Sequence, residues 1–198
     1  METTFEGGFA NPVLQSQTAF RAIMDALANP GTPRQLAETA LTEGPLGADL
    51  ANVLLTLSDA DTPIWLSDSL RTAAVEAFIA FHTGAPLVQD PAKAAFAFAA
   101  TADELPALGR FNLGTQEYPD RSTTIVLAVP ALSAGPKMVL RGPGVKDHLH
   151  CSPLGLPEDF LGQWADNRDL FPRGVDLLLV ADGQVLGLPR STRILGGH

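Results

Sequence analysis

The sequence predicts an α/β fold: a mixed sheet with helices on both faces, three layers deep (α/β/α). Three observations predict it. Apolar residues recur at helical spacing in several segments, and these are interspersed with short β-branched or aromatic runs that read as strands. Two links between strands are too short to hold a helix, which makes those strands antiparallel neighbours within an otherwise helix-connected sheet. No linker separates two cores, so residues 1–198 are expected to form one domain, led by an irregular arm at 1–12.

Asn11-Pro12 supplies an N-cap and a first-turn proline, and Phe20, Ile23, Met24 and Leu27 then share a helical face until Asn29-Pro30-Gly31 ends it. Arg21 sits beside that stripe. A second helix is expected from Pro45, with Leu46, Leu50, Leu54 and Leu57 toward the core. Asp59-Ala60-Asp61 has the look of a two-carboxylate cation site, but in front of Thr62-Pro63 it reads as a capped turn. Ile64-Trp65-Leu66 is a short strand. Ser67 or Asp68 then caps a third helix that buries Leu70, Ala74, Phe78 and Phe81 and stops at Gly84. His82 falls in its last turn, where the helix dipole favours a cation, and is not assigned as a ligand.

Residues 94–100 alternate, with Phe96 and Phe98 on one side, and predict a strand; residues 103–108 form at most a short helical turn. The β-branched run 124–129 is a buried central strand. A second strand at 137–141 follows after only the loop 130–136, so the two are expected to be antiparallel neighbours. Pro157 starts another helix with Phe160, Leu161 and Trp164 as its apolar side. Residues 175–180 are the most apolar strand, Ala181-Asp182-Gly183 a hairpin turn, and 184–188 the return strand, broken by Pro189.

Composition narrows the functional classes. Hydrophobic residues make up 45% and charged residues 18%, which excludes a disordered chain. No apolar run reaches the roughly 18 residues of a membrane span, and the first 12 residues lack the pattern of a signal peptide, so a soluble cytoplasmic protein is expected. A net charge of −9 repels nucleic acid. Cys151 is the only cysteine, which excludes an internal disulfide. The chain contains no phosphate-binding loop with its lysine, no G-x-S-x-G elbow and no H-E-x-x-H zinc motif. His148-Leu149-His150-Cys151 is the one metal-like cluster; in an extended segment His148 and His150 share a face and Cys151 points away.

What remains is the placement of arginine. The chain has ten arginines and three lysines, and the guanidinium fork matches phosphate and carboxylate oxygens. The polar turn that carries Thr115, Tyr118, Arg121 and Ser122 runs straight into the central strand. Pro119-Asp120-Arg121-Ser122-Thr123 is echoed by Pro189-Arg190-Ser191-Thr192-Arg193. Arg141 stands before a tight Gly142-Pro143-Gly144 turn. Guanidinium groups, hydroxyls and turn N–H groups together suit an anion, so the expected binding set is Arg21, Thr115, Tyr118, Arg121, Ser122, Gly142, Gly144, Arg190 and Thr192. The alternative is structural: the arginines clamp Asp120, Asp176 or a sheet edge. No lysine or histidine is placed as a base, so binding is expected and no catalytic residue is assigned.

These residues carry a family resemblance that runs through most of the chain. Its pieces are Gly8-Phe9 with Pro12 and Gln17, Phe20 to Met24 leading to Pro30-Gly31, Pro45-Leu46, Asp61 to Leu66, and His82-Thr83-Gly84. They continue through Gly114-Thr115, Tyr118-Pro119, Arg121-Ser122-Thr123, Gly142-Pro143-Gly144, Phe171-Pro172, Gly174 to Leu177, and Leu188 to Arg193. In this order they resemble the PhnH family, a subunit of the carbon-phosphorus lyase core complex of bacterial phosphonate degradation. The resemblance implies a fold similar to the large domain of pyridoxal-phosphate-dependent transferases, homodimeric in isolation and without the cofactor. None of Lys93, Lys137 and Lys146 has a setting suited to a Schiff base. It also implies work beside the G, I, J and L subunits in a synthase that exchanges the adenine of ATP for a phosphonate. An accessory subunit with a pocket for a phosphonate or nucleotide is therefore expected. The alternatives are a standalone metal-dependent enzyme using His148, His150 and Cys151, and a pure scaffold.

Overall fold

The computed structural model describes residues 8–37 and 46–196. Four parallel strands form its centre: β2 (Ile64–Leu66), β3 (Phe96–Ala99), β4 (Thr124–Ala128) and β7 (Asp176–Ala181) lie side by side in that order. β8 (Gln184–Leu188) pairs antiparallel with β7, and the two-residue β1 (Arg34–Gln35) closes that edge antiparallel to β8. The β7–β8 link is a two-residue turn in which Asp182 and Gly183 have φ of 51° and 72°, the backbone such hairpins require.

Each face of this sheet buries its own core. On one side α1 (Pro12–Ala28), α2 (Ala48–Leu57) and α3 (Ala73–His82) pack on Ile64, Leu66, Phe98, Val126 and Leu178. On the other, α4 (Phe160–Asp169) shares the layer with several 3-10 turns and a second sheet, so this third layer is part helix and part strand. The second sheet has the order β6 (Leu149–Cys151), β5 (Met138–Arg141), β9 (Arg193–Gly196), all antiparallel. Its Met138, Leu140 and Cys151 face the core beside Trp164, Ile125 and Leu177.

Four expectations are corrected here. Phe20 and Met24 are 49% and 50% exposed, and α1 instead buries Ala19, Ile23 and Ala26. The helix crosses β8 at Gly187, where an added Cβ would lie 2.7 Å from the Ala26 backbone, so only the alanine face can approach that closely. The third helix is capped by Thr72, whose hydroxyl accepts from the Val75 N–H at 3.3 Å, and not by Ser67 or Asp68. The Ser67 hydroxyl is engaged by the Ala100 N–H at 3.1 Å, and Asp68–Leu70 is a separate 3-10 turn. Accordingly α3 buries Val75, Phe78 and Ile79, while Ala74 and Phe81 are exposed.

The third correction concerns the central strand. β4 has parallel partners on both sides, β3 and β7, which leaves no edge for β5. The loop after β4 pairs with the segment before α4 instead: Leu154 N–H donates to the Ala131 carbonyl at 2.9 Å and Gly135 N–H to that of Ser152 at 2.7 Å. β5 is thereby led into the second sheet. Finally, Pro157 opens a turn, closed by Phe160 N–H on the Pro157 carbonyl at 3.0 Å, and α4 begins only at Phe160, with Leu161 exposed. Pro45 lies outside the described residues; Leu46, Leu50 and Leu54 are buried as expected.

Candidate functional site

The two Arg-Ser/Thr corners meet. Both stand at the edge where the parallel strands begin, one leading into β4 and the other following β8. The first corner is a loop organised by Asn112. Its side-chain amide donates to the Arg121 carbonyl at 2.8 Å, and its carboxamide oxygen accepts from Gly114 N–H at 3.0 Å. Thr123, fully buried, fastens the end of the loop by donating to the Ala94 carbonyl at 2.6 Å. Inside the loop the Thr115 hydroxyl accepts from Tyr118 N–H at 3.0 Å. Gly114 has φ 71°, and an added Cβ would press on the Tyr118 and Pro119 carbonyls at 3.0 Å.

Arg190 joins this loop to the second corner. Its Nε and main-chain N–H donate to Asp176 Oδ1 at 3.1 and 2.7 Å, one terminal nitrogen reaches Asp176 Oδ2 at 2.5 Å, and the other donates to the Pro119 carbonyl. The guanidinium is thus engaged on both branches and its charge is matched by Asp176. Arg190 acts as the structural clamp that the sequence offered as an alternative. Arg121 is different. It is exposed, stacked at 4.3 Å over the Tyr118 ring, and among the described residues it has no ion pair.

The other expected residues divide. The Ser122 and Thr192 hydroxyls are buried without a hydrogen-bond partner among the described residues, and the Thr192 carbonyl accepts from Trp164 Nε1 at 2.9 Å. Gly142 backs onto the Ser191 carbonyl, where a Cβ would lie 3.0 Å away; Gly144 backs onto the Ala28 carbonyl at the end of α1. Both glycines serve close backbone packing. Arg21 stands apart, in a groove between α1 and β1 with Thr18, Asp25, Arg34 and Gln35, where Arg34 pairs with Asp25. The corner therefore gathers Thr115, Tyr118, Arg121, Ser122, Arg190 and Thr192 on two joined loops, and leaves Arg21 out.

A second candidate was not legible in the sequence. Beyond the carboxyl ends of β3 and β4, Ala100, Thr101, Asp103, Val129, Pro130 and Leu156 line a cleft of ≈ 480 Å³. That is the edge at which open α/β sheets usually hold ligands. Its lining includes one acid and no cation, so it suits a neutral or cationic group better than a phosphate. Small residues at strand ends carry no chemical signature, which is why nothing marked it.

The metal-like cluster is split by the sheet. His148 and His150 are exposed with ring centroids 5.3 Å apart, whereas Cys151 faces the core, and burial pushes its thiol up to about 11. Among the described residues no group of three or more His, Cys, Asp or Glu side chains could hold a metal ion. Asp59 accepts from Asp61 N–H at 3.0 Å, the capped turn expected there.

Residues 7–195 match the family described as bacterial phosphonate metabolism protein (PhnH). The alpha-D-ribose 1-methylphosphonate 5-triphosphate synthase subunit PhnH of Rhizobium meliloti (strain 1021) is 46% identical over 190 residues, covering 96% of this chain and 95% of the relative. The putative C-P lyase subunit protein HtxG of Stutzerimonas stutzeri is 31% identical over 180 residues, covering 91% of this chain and 86% of that one. With the ordered motifs from Gly8 to Arg193 lying inside the matched span, the chain belongs to the PhnH family of bacterial phosphonate metabolism proteins.

Proposed function

We propose that this chain is an accessory subunit of the alpha-D-ribose 1-methylphosphonate 5-triphosphate synthase of organic phosphonate catabolism, working with the G, I, J and L subunits of the carbon-phosphorus lyase system. The observation that carries this is the extent of the likeness: a relative named as a subunit of that synthase is 46% identical over 190 residues, 95% of its own length. In this role it is a cytoplasmic single-domain protein, a homodimer when isolated, with a fold like the large domain of pyridoxal-phosphate-dependent transferases and no cofactor. Catalysis of the adenine-for-phosphonate exchange belongs to another subunit.

Any anionic ligand, phosphonate or nucleotide, is held at the Arg121 corner. Arg121 supplies the charge, Tyr118 a face and a hydroxyl, and Arg190 the rigid mount. The pure scaffold is the second reading, favoured by the way Asp176 already neutralises Arg190. Two experiments test these. The purified chain should not turn over ATP with methylphosphonate, should copurify with coexpressed G, I and J subunits, and should be required for synthase activity; turnover by the chain alone would overturn the accessory role. Calorimetry with methylphosphonate and ATP should show binding that Arg121→Ala removes, and no heat from the wild type leaves the scaffold.

A further inference from the structure

The outward face of the second sheet has an order that the anion corner does not use. Arg141 of β5 and Arg193 of β9 are register partners, so their side chains leave the sheet on the same face. Continuing the β5–β6 register one step past Leu140 and Leu149 sets His148 opposite Arg141. One cross-strand row is thus His148, Arg141, Arg193, about 10 Å from end to end at the usual strand spacing. The next row on the same face is His150, Val139, Leu195, of which Leu195 is 51% exposed. Arg141 and Arg193 are both exposed, and among the described residues neither side chain has an ion pair or hydrogen bond.

Two like charges placed directly across a strand pair repel. Here they do so on a chain of net charge −9, and among the described residues no carboxylate pairs with either. None of the six residues of this face lines the cleft beyond β3 and β4 or the groove beside Arg21. A small phosphate would want concavity and N–H donors; a cationic row bordered by an apolar row suits a protein surface with carboxylates beside apolar groups. A second copy of this chain meeting it across a two-fold axis would set arginine against arginine, so the complementary occupant is a different chain.

We propose that this face is the docking surface for an acidic face of a partner subunit. The proposal rests on the subunit role given above and names the surface through which it is exercised. It is tested by reconstituting the complex from the tagged chain and the G, I and J subunits and measuring its dissociation constant at low and high salt. Arg141→Glu/Arg193→Glu should weaken binding about 10-fold or more and flatten the salt dependence, while Arg110→Glu, on the 3-10 turn Leu108–Arg110 outside this sheet, leaves both unchanged. Thermal melting of the double variant should stay within about 3 °C of wild type, which separates lost docking from lost folding.

A double variant that binds as tightly as wild type overturns the proposal. So does inorganic triphosphate binding that depends on these arginines while partner binding does not, since the face would then serve a small anion. A wild-type chain that binds none of the three subunits removes the subunit role itself, and this surface with it.

Discussion

Arg190 and Asp176 form a paired clamp, side chains 16% and 17% exposed, through which one guanidinium ties three strand ends together. Asp176 opens β7, Arg190 follows β8, and the Pro119 carbonyl it also captures precedes β4. The loop that carries Tyr118 and Arg121 is therefore mounted on the sheet by a side chain from 71 residues away.

Because both members are mostly buried, removing one strands the other. Asp176→Ala should cost roughly 2–3 kcal/mol, toward the lower end for buried pairs because water still reaches this one. Arg190→Lys keeps the charge and loses the fork, and should recover only part of that. Arg121→Ala, removing an exposed stacked side chain, should stay within about 0.5 kcal/mol. Urea titrations give the three values, and amide exchange should quicken over residues 112–123 in the Asp176 and Arg190 variants alone.

The contact between α1 and β8 makes a second prediction. Gly187→Ala places a Cβ 2.7 Å from the backbone of Ala26 and must push the helix outward, at about 1–3 kcal/mol. Gly109→Ala is the control, since a Cβ there meets nothing within 4 Å. A lowered urea midpoint with an unchanged slope for Gly187→Ala, and none for Gly109→Ala, is the expected result.

That same contact shows how far the sequence could be read. The period of α1 was plain, but which of its faces turns inward depends on a glycine 161 positions beyond Ala26, and the bulky residues Phe20 and Met24 gave the wrong answer. β2, β3, β4, β7 and β8 were legible because runs such as 124–128 and 176–181 are apolar on both faces of a buried sheet. β1, β6 and β9 were not: they are two to four residues long and largely exposed, and pairing alone defines them. At the site, the echo of Arg121 by Arg190 was visible, but whether the two corners meet was not decidable from it, because that depends on β8 returning beside β7. The identity of the clamp's other half was not decidable, because Asp120 and Asp176 are equally plausible in sequence and only the register of β7 against β4 selects the second.

Cys151 offers a pH test. Burial raises its thiol to about 11 from an ordinary 9.0, so the native chain favours the neutral thiol. A group whose folded value lies above its unfolded one contributes stability in full below pH 9, and loses it as pH rises through 9 toward 11. Stability should fall over that interval, and Cys151→Ala should remove this part of the slope. At pH 8 the native thiol should react with a disulfide reagent at least about 100-fold more slowly than the urea-unfolded chain, from its thiolate fraction alone. Equal rates would place Cys151 at the surface and reopen its pairing with His148 and His150.

Arg141 and Arg193 separate stability from docking. Because they are register partners on one face, Arg141→Glu converts a repelling pair into an attracting one and should stabilise the chain by about 0.2–1 kcal/mol. Arg193→Glu should do the same, whereas the double reversal sets glutamate against glutamate and should return near the wild-type value. Each single variant would then be more stable than either the wild type or the double, a pattern that only a direct interaction yields. Raising NaCl toward 1 M should flatten it, since both groups are exposed to screening. The same single variants should bind a partner more weakly while melting higher. Opposite movements of this kind distinguish a face kept unrelieved for an acidic partner from one whose charges merely decorate the surface, for which binding would follow stability or ignore it.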